Sequence, residues 1–364
     1  MKRVLFLTNY ASPYRVRFFD ELGKYMDVTV LFSDPVESVT HRNEAWFEDG
    51  QGGFHPVQLT GSPVRGEYFC PGVSKWLKKP YDAIVIGGYS SPTAIWAMAH
   101  LRLRKIPFYM EVDGGLIRQE GKLKYRIKKT LVQMANEWLS TGAHPTKYLV
   151  HYGAKEEKVR FYPFSSLYEA DILPEVVSRE EKAALRRELG ISQKRMILAV
   201  GQCIPRKGFD ILLKAAKGLP EDTAVCIVGG EPTEEYLRLR EELGLDQVFF
   251  PGFQKKENLA KFYRAADLFV LPTREDIWGL VINEAMAYGL PVITTDRCVA
   301  GLELVEDGVN GYLVPVEDEK ALGEKMREAL QGNPAEMGAA SLKKIRPYTI
   351  ENMAKAHVEI LERG

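Results

Sequence analysis

The sequence predicts an α/β protein of two domains, each a parallel sheet covered by helices on both faces. Three observations lead there. Short apolar runs recur along the chain as continuous stretches rather than as alternating ones, so the strands they form are buried on both sides. Helical patterns separate these runs. The 364 residues suffice for two domains of ordinary size, each with a substantial core.

The first series of runs covers residues 4–8, 28–32, 83–86, 108–112, 138–139 and 159–162. The first leads into Asn9-Tyr10-Ala11-Ser12-Pro13, where Ser12 and Pro13 suit the cap and first turn of a helix bearing Val16, Phe19 and Leu22. The third ends in Gly87-Gly88-Tyr89-Ser90-Ser91-Pro92, and the fourth at Asp113-Gly114-Gly115. Together they predict a first domain over residues 1–165. The pattern changes over 166–193, where Pro174 and a charged helical stretch at 179–189 read as an inter-domain connection. A second series, 196–200, 224–228, 248–250, 268–271, 292–294 and 312–314, predicts a second domain over 194–346. A final helix at 347–364 is expected to pack back on the first domain. Ligand loops at the carboxyl ends of both sheets suggest a cleft between the domains.

Lysines and arginines number 49 and so do aspartates and glutamates, so no global field draws nucleic acid or a membrane to the chain. Cys70, Cys203, Cys226 and Cys298 are scattered without a C-x-x-C spacing, which argues against zinc and a disulfide framework and fits a reducing cytoplasm. The apolar opening is too short for a signal peptide, and no run nears the ~18 apolar residues of a membrane span. No G-x-G-x-x-G follows a strand and no P-loop is present, so nicotinamide and nucleotide-hydrolysing sites are not indicated.

The densest stretch is residues 273–292, TREDIWGLVINEAMAYGLPV. It reads as a loop after a strand, then a helix from Gly279 to Tyr288 stopped by Gly289. Glu275 and Asp276 lie in the loop at the strand's carboxyl end. Glu284 sits on a helix that otherwise looks buried, so its carboxylate needs a partner or a ligand hydroxyl. A capped helix with a solvated acidic start is the bland alternative.

Residues 276–287, D-I-W-G-L-V-I-N-E-A-M-A, resemble the E-x7-E signature of retaining nucleotide-sugar glycosyltransferases of family 4, usually E-x-F-G-L-x-x-x-E-A-M-A. Trp278 stands for the Phe and Asp276 for the first Glu, with Glu275 beside it able to substitute. Residues 200–210 resemble that family's G-R-x(n)-K-G-x-D loop: Lys207 matches, Gln202 occupies the Arg position, and Arg206 is a neighbouring cation. Residues 228–232, with Gly229, resemble the glycine turn below the nucleotide, and 250–253, ending in Phe253, the base-binding edge. Residues 259–272 and 301–311 match further segments in order. Residues 9–15 resemble the opening loop of bacterial surface-polysaccharide members.

The resemblance implies the GT-B fold, two Rossmann-like α/β/α domains facing each other across a cleft. It also implies transfer of a sugar from a nucleoside diphosphate to a glycan or lipid-linked acceptor, with retention of anomeric configuration. Glu284 would bind ribose hydroxyls, Asp276 or Glu275 the donor sugar, and Lys207 with Arg206 the leaving diphosphate. Gly201, Gln202, Ile277, Trp278, Gly279 and Leu280 complete the donor side. Asn9, Tyr14, Gly88 and Tyr89 line the acceptor side. Asp113 stands where many relatives carry a histidine near the reacting sugar, and it also suits a turn before Gly114. No metal, cofactor or nucleic acid is implied. The alternatives are a GT-B epimerase acting on a nucleotide sugar and a non-catalytic nucleotide-sugar binder.

Residues 121–136, GKLKYRIKKTLVQMAN, place Leu123, Ile127, Leu131 and Met134 on one stripe, with Lys122, Lys124, Arg126, Lys128 and Lys129 around it and Arg118 just before. Such a helix can pack on the first sheet with solvated lysines. It can equally lie on an anionic membrane over 118–136, aided by the helix bearing Arg15 and Arg17. The expected location is cytoplasmic, with peripheral contact to the inner membrane face on the second reading.

Overall fold

The computed structural model describes residues 1–35, 52–64 and 66–363, and the elements and counts below are those of the described residues. The chain falls into two compact units, Met1–Ser166 with Tyr348–Gly364, and Leu167–Pro347.

The first unit runs β1 (Arg3–Thr8), α1 (Pro13–Leu22), β2 (Asp27–Phe32), β3 (His55–Gln58), β4 (Ser62–Val64), β5 (Glu67–Phe69), α2 (Val73–Trp76), β6 (Ala83–Gly87), α3 (Pro92–Leu103), β7 (Tyr109–Val112), α4 (Lys122–Val132), β8 (Glu137–Ser140), α5 (Ala143–His151) and β9 (Val159–Phe161). Seven of the strands pair in parallel in the order β3-β2-β1-β6-β7-β8-β9, while β4 and β5 form an antiparallel hairpin. The central strands are apolar because both faces are covered: Val4 to Leu7, Ile84 to Ile86 and Met110 are all buried. Strand β3 was not legible in the sequence. It is a sheet edge, His55-Pro56-Val57-Gln58, mostly exposed, where a proline costs no ladder bond.

Helix α1 begins at Pro13 as expected, but Ser12 makes no side-chain cap bond; its carbonyl accepts the first helical bond, from the Val16 amide at 3.0 Å. Ser91 does cap α3, accepting from the Ala94 amide at 3.1 Å.

The second unit runs α6 (Arg179–Glu188), β10 (Arg195–Val200), α7 (Phe209–Ala216), β11 (Thr223–Val228), α8 (Glu234–Glu242), β12 (Val248–Gly252), α9 (Lys256–Ala265), β13 (Leu268–Leu271), α10 (Leu280–Ala287), β14 (Val292–Thr295), α11 (Val299–Leu304), β15 (Gly311–Val314), α12 (Glu319–Gln331) and α13 (Pro334–Ile345). Its six strands are parallel in the order β12-β11-β10-β13-β14-β15. The last helix, α14 (Ile350–Glu362), belongs to the first unit and packs on α1.

The segment read as an inter-domain connection is instead built into the second unit. Asp267, just before β13, gathers Arg186 at 3.1 Å, Lys182 at 3.4 Å and the Met196 amide at 3.0 Å. Both cations are buried, so α6, which packs on α9, is fastened by charge to the junction between α9 and β13. Removing one partner of a buried pair strands the rest. Asp267→Ala is therefore expected to cost the second unit about 3 kcal/mol. Urea unfolding followed through Trp278, the single tryptophan of residues 167–347, measures this, and an unchanged midpoint refutes it.

Candidate functional site

In each sheet the chain reverses direction of winding at its first strand. The second sheet grows from β10 to β11 on one side and takes up β13 on the other; the first does the same at β1, with β2 on one side and β6 on the other. The loops leaving such neighbouring strands diverge and leave a crevice at their carboxyl ends. The candidate residues collect at these two crevices.

In the second unit the loop after β10 holds Arg206 and Lys207 in a turn of 3-10 helix, Pro205–Lys207. Gly208 follows in the left-handed region (φ 70°), where a Cβ would sit 2.1 Å from the Pro272 carbonyl oxygen, so this loop lies directly on the loop after β13. Thr273 and Arg274 complete the contact. The Arg274 amide donates to the Arg206 carbonyl at 2.8 Å, and the Thr273 hydroxyl lies 2.9 Å from the same oxygen. The Arg274 guanidinium holds both Asp210 oxygens, at 2.9 and 2.7 Å, and reaches Glu317.

This contact brings three candidate residues together. Lys207 Nζ lies 2.6 Å from Asp276 Oδ2, and Arg206 lies 3.1 Å from Asp276 Oδ1. Lys207 is buried and Arg206 half exposed. Of the two acidic residues in the loop, the one whose carboxylate meets both cations is Asp276. Glu275 joins through its backbone, its carbonyl accepting from Arg206 at 2.8 Å.

Beyond Asp276, Ile277 is exposed, whereas the Trp278 side chain is buried with its indole nitrogen donating to Asn283 at 2.9 Å. Only the backbone of Trp278 can therefore face a ligand. Gly279 turns into α10 at φ 103°, its α-carbon so close to Cys298 that a Cβ would lie 2.8 Å from the sulfur. Leu280 opens the helix, half buried. Glu284, one turn on, accepts from the Tyr263 hydroxyl at 2.9 Å, which is the partner its half-buried carboxylate required. Burial, and next the Glu284 charge, push the Tyr263 phenol well up, so it stays a donor. Tyr263 is itself stacked on Tyr288, ring centres 5.0 Å apart.

Gly201 and Gly229 lie beside each other at the ends of β10 and β11: the Gly201 amide donates to Val228 at 2.8 Å and the Gly229 amide to Gly252 at 3.0 Å. Gln202, next after Gly201, is half buried, and Phe253 is exposed after β12.

In the first unit, Asp113 follows β7. Its carboxylate accepts from Arg15 at 2.6 Å and from the Tyr162 hydroxyl at 3.2 Å. These partners come from α1 and the end of β9, so the side chain is held by tertiary contacts and not by the turn alone. Arg15 stacks over Tyr14. Asn9 is exposed after β1, Gly88 donates to the Glu111 carbonyl at 2.8 Å, and the Tyr89 hydroxyl pairs with that of Tyr148.

Two expectations need correction. Arg15 is 8% exposed and committed to Asp113, so it offers no surface cation. Lys128 turns inward to Glu120 at 2.8 Å and the Tyr152 hydroxyl at 3.2 Å. The apolar stripe of α4 divides: Leu131 and Met134 pack on the core, while Leu123 is 74% and Ile127 52% exposed. Among the described residues, no helix is long and apolar enough to cross a membrane. The four cysteines are free and buried.

Residues 181–346, all within the second unit, match the family described as Glycosyl transferases group 1. Among curated proteins, the D-inositol 3-phosphate glycosyltransferase of Mycobacterium sp. (strain KMS) is 37% identical over 171 residues, 44% of this chain and 38% of that protein. The chain thus spans about two fifths of the length of the first relatives it matches. Among solved structures, Anabaena HepE in complex with UDP and glucose has a TM-score of 0.76 at 18% identity, covering 100% of both chains. Sucrose-phosphate synthase from Thermosynechococcus elongatus has a TM-score of 0.75 at 20% identity, covering 100% of this chain and 99% of its own. The whole chain shares the GT-B glycosyltransferase fold.

The Arg274–Asp210 brace was not singled out in the sequence, although both residues lie in quoted segments. Burial would raise the Asp210 carboxyl, but the Arg274 hydrogen bonds and charge outweigh it and hold it below its ordinary 3.8. A depressed folded value adds stability above the unfolded value and loses it as pH falls through the folded one. Arg274→Gln is expected to cost about 1 kcal/mol at pH 7, and the difference from the native chain should vanish as the pH drops below about 4. Urea titrations at pH 7 and pH 3 measure it; a difference that grows on acidification contradicts the assignment.

Proposed function

We propose that the chain is a retaining glycosyltransferase that moves a sugar from a nucleoside diphosphate to a glycan or lipid-linked acceptor. The observation that carries this reading is the Arg206–Asp276–Lys207 triad at the crevice of the second sheet, within the segment that matches the family. A glycosyl donor leaves as a diphosphate, so negative charge grows on phosphate oxygens as the bond to the sugar breaks. Lys207, held rigidly by burial, and Arg206 beside it supply the opposing charge without reorganising. Asp276 keeps both cations aimed while the site awaits donor. On binding, its oxygens exchange part of those ion pairs for sugar hydroxyls. The backbone from Ile277 to Gly279, ahead of α10, adds the positive end of a helix. Glu284, ordered by Tyr263, accepts the ribose hydroxyls. Lysine and arginine occupy the role a divalent metal would fill, so none is needed. UDP-glucose is the first donor to test, given the ligands of HepE.

Lys207→Ala is expected to lower kcat by on the order of a hundredfold with the fold intact. Glu284→Gln is expected to weaken donor binding by about 1.5–3 kcal/mol in calorimetry. Turnover should persist in EDTA. Product analysis by NMR should show a new glycoside of unchanged anomeric configuration; an epimerised free donor, or no product from any donor, rejects the reading.

The acceptor side carries a second part of the proposal, contact with an anionic membrane through α4. Lys122, Lys124 and Arg126 are exposed on the same helix as Leu123 and Ile127, with Ile117 and Arg118 exposed just before it. Cations beside unpaired apolar side chains suit a surface that is anionic above and apolar below, each cation adding roughly 1 kcal/mol. In co-sedimentation, binding is expected to vesicles containing phosphatidylserine, to weaken in high salt, and to disappear when Lys122, Lys124 and Arg126 become Glu. Equal, negligible binding to anionic and neutral vesicles points to a soluble acceptor instead.

A further inference from the structure

The first unit buries more charge than this chemistry uses. Asp113, Arg15, Glu111 and His357 form one line. Arg15 meets Asp113 at 2.6 Å through one terminal nitrogen and Glu111 at 3.6 Å through the other. The other Glu111 oxygen lies 3.1 Å from His357 Nε2. Glu111 is 2% exposed and His357 0%. The imidazole comes from α14 and is walled by Phe18 and Tyr162, each 4.7 Å between ring centres. Its Nδ1 lies 2.8 Å from the Met353 carbonyl, an acceptor only, so Nδ1 carries a proton. With Glu111 ionised, Nε2 must carry one as well. The line then alternates in sign, anion, cation, anion, cation, and a buried carboxylate is provided with a cation on each side.

We propose that His357 is a positioning residue for Asp113: by holding Glu111 ionised it keeps a second anion on Arg15, leaving Asp113 only a share of that guanidinium and so free to accept a hydrogen bond from an acceptor hydroxyl. The functional half of this rests on Asp113 lying at the acceptor side. The groups acting on Asp113 are Arg15 and the Tyr162 hydroxyl by hydrogen bond, Tyr14 of α1 and Glu111 of β7 by charge, and the Thr141 hydroxyl on its carbonyl; α14 acts on it through Glu111. The balance of these groups agrees. Burial raises the Asp113 carboxyl, Arg15 lowers it and the Glu111 charge raises it again, leaving it above its ordinary range. Burial works against the Glu111 anion too, but the hydrogen bond from His357 and the charges of Arg15 and His357 hold its carboxyl below the usual range.

Carboxyl carbon-13 NMR of the full chain reads this without turnover, so its outcome is separate from whether the chain transfers sugars. In the native protein Glu111 should stay ionised below the ordinary carboxylate range. In Glu111→Gln, which keeps the shape, the Asp113 midpoint should fall by roughly one unit as Arg15 passes wholly to it. In His357→Gln it should fall in the same direction, because Glu111 takes up a proton, and the double variant should fall no further than Glu111→Gln. An unmoved Asp113 in Glu111→Gln overturns the sharing. A Glu111 that already titrates near neutral pH in the native protein, or an unmoved Asp113 in a folded His357→Gln, overturns the role of His357. If His357→Gln does not fold, the native Glu111 midpoint and the Glu111→Gln shift decide the matter.

Discussion

Two loops from neighbouring strands must meet for the second unit to have a site at all, and Arg274 is the side chain that joins them. It grips Asp210 at the start of α7 with both arms of its fork, while its own backbone lies against Arg206. A planar guanidinium matched to a carboxylate fixes angle as well as distance. The consequence falls a few residues away: with the loops clamped, Lys207 and Arg206 converge on the two oxygens of Asp276. Glycine at 208 follows from the same constraint, since a side chain there would occupy the space of the Pro272 carbonyl.

The same logic recurs wherever this chain buries charge. Asp267 receives two cations and an amide, Glu111 receives Arg15 and His357, and Asp113 receives Arg15 and Tyr162. An unpaired ion inside a protein costs several kcal/mol, so each carboxylate is retained only with its partners. These clusters differ in what they leave available. Asp267 is satisfied by α6 and a strand amide, all parts of the scaffold, and serves packing. Asp113 and Asp276 stand in the loops after β7 and β13, and each shares a cation or a cation pair with its surroundings.

Much of this was legible in the sequence. The buried parallel strands announce themselves as continuous apolar runs, which is why residues 4–8, 268–271 and 292–294 were placed within a residue or so of the observed elements. The need of Glu284 for a partner followed from its apolar neighbours, although not that Tyr263 would supply it. What stayed hidden is what depends on distance in space. Strand β3 has no apolar run because an edge strand needs none. The 166–193 stretch looks like a linker by its charge, and only Asp267, about eighty residues on, shows that two of those charges are buried. Arg15 and Lys128 read as surface cations for the same reason. His357 had no local signal of any kind, being 246 positions from Glu111.

The two departures from the glycosyltransferase pattern are best understood together. Where the pattern has an arginine, the chain has Gln202; where it has a glutamate, the chain has Asp276. Taken singly, the first removes a positive charge and the second shortens a carboxylate. In the folded unit Arg206, on the same short loop as Gln202, meets that shorter carboxylate. An aspartate has one fewer methylene with which to reach outward, so it sits closer to its own backbone and to the loop after β10. That position lets one oxygen take Lys207 and the other Arg206. The two departures thus bear on one contact: the shorter acid receives a cation pair drawn from consecutive residues of one turn, one on each of its oxygens.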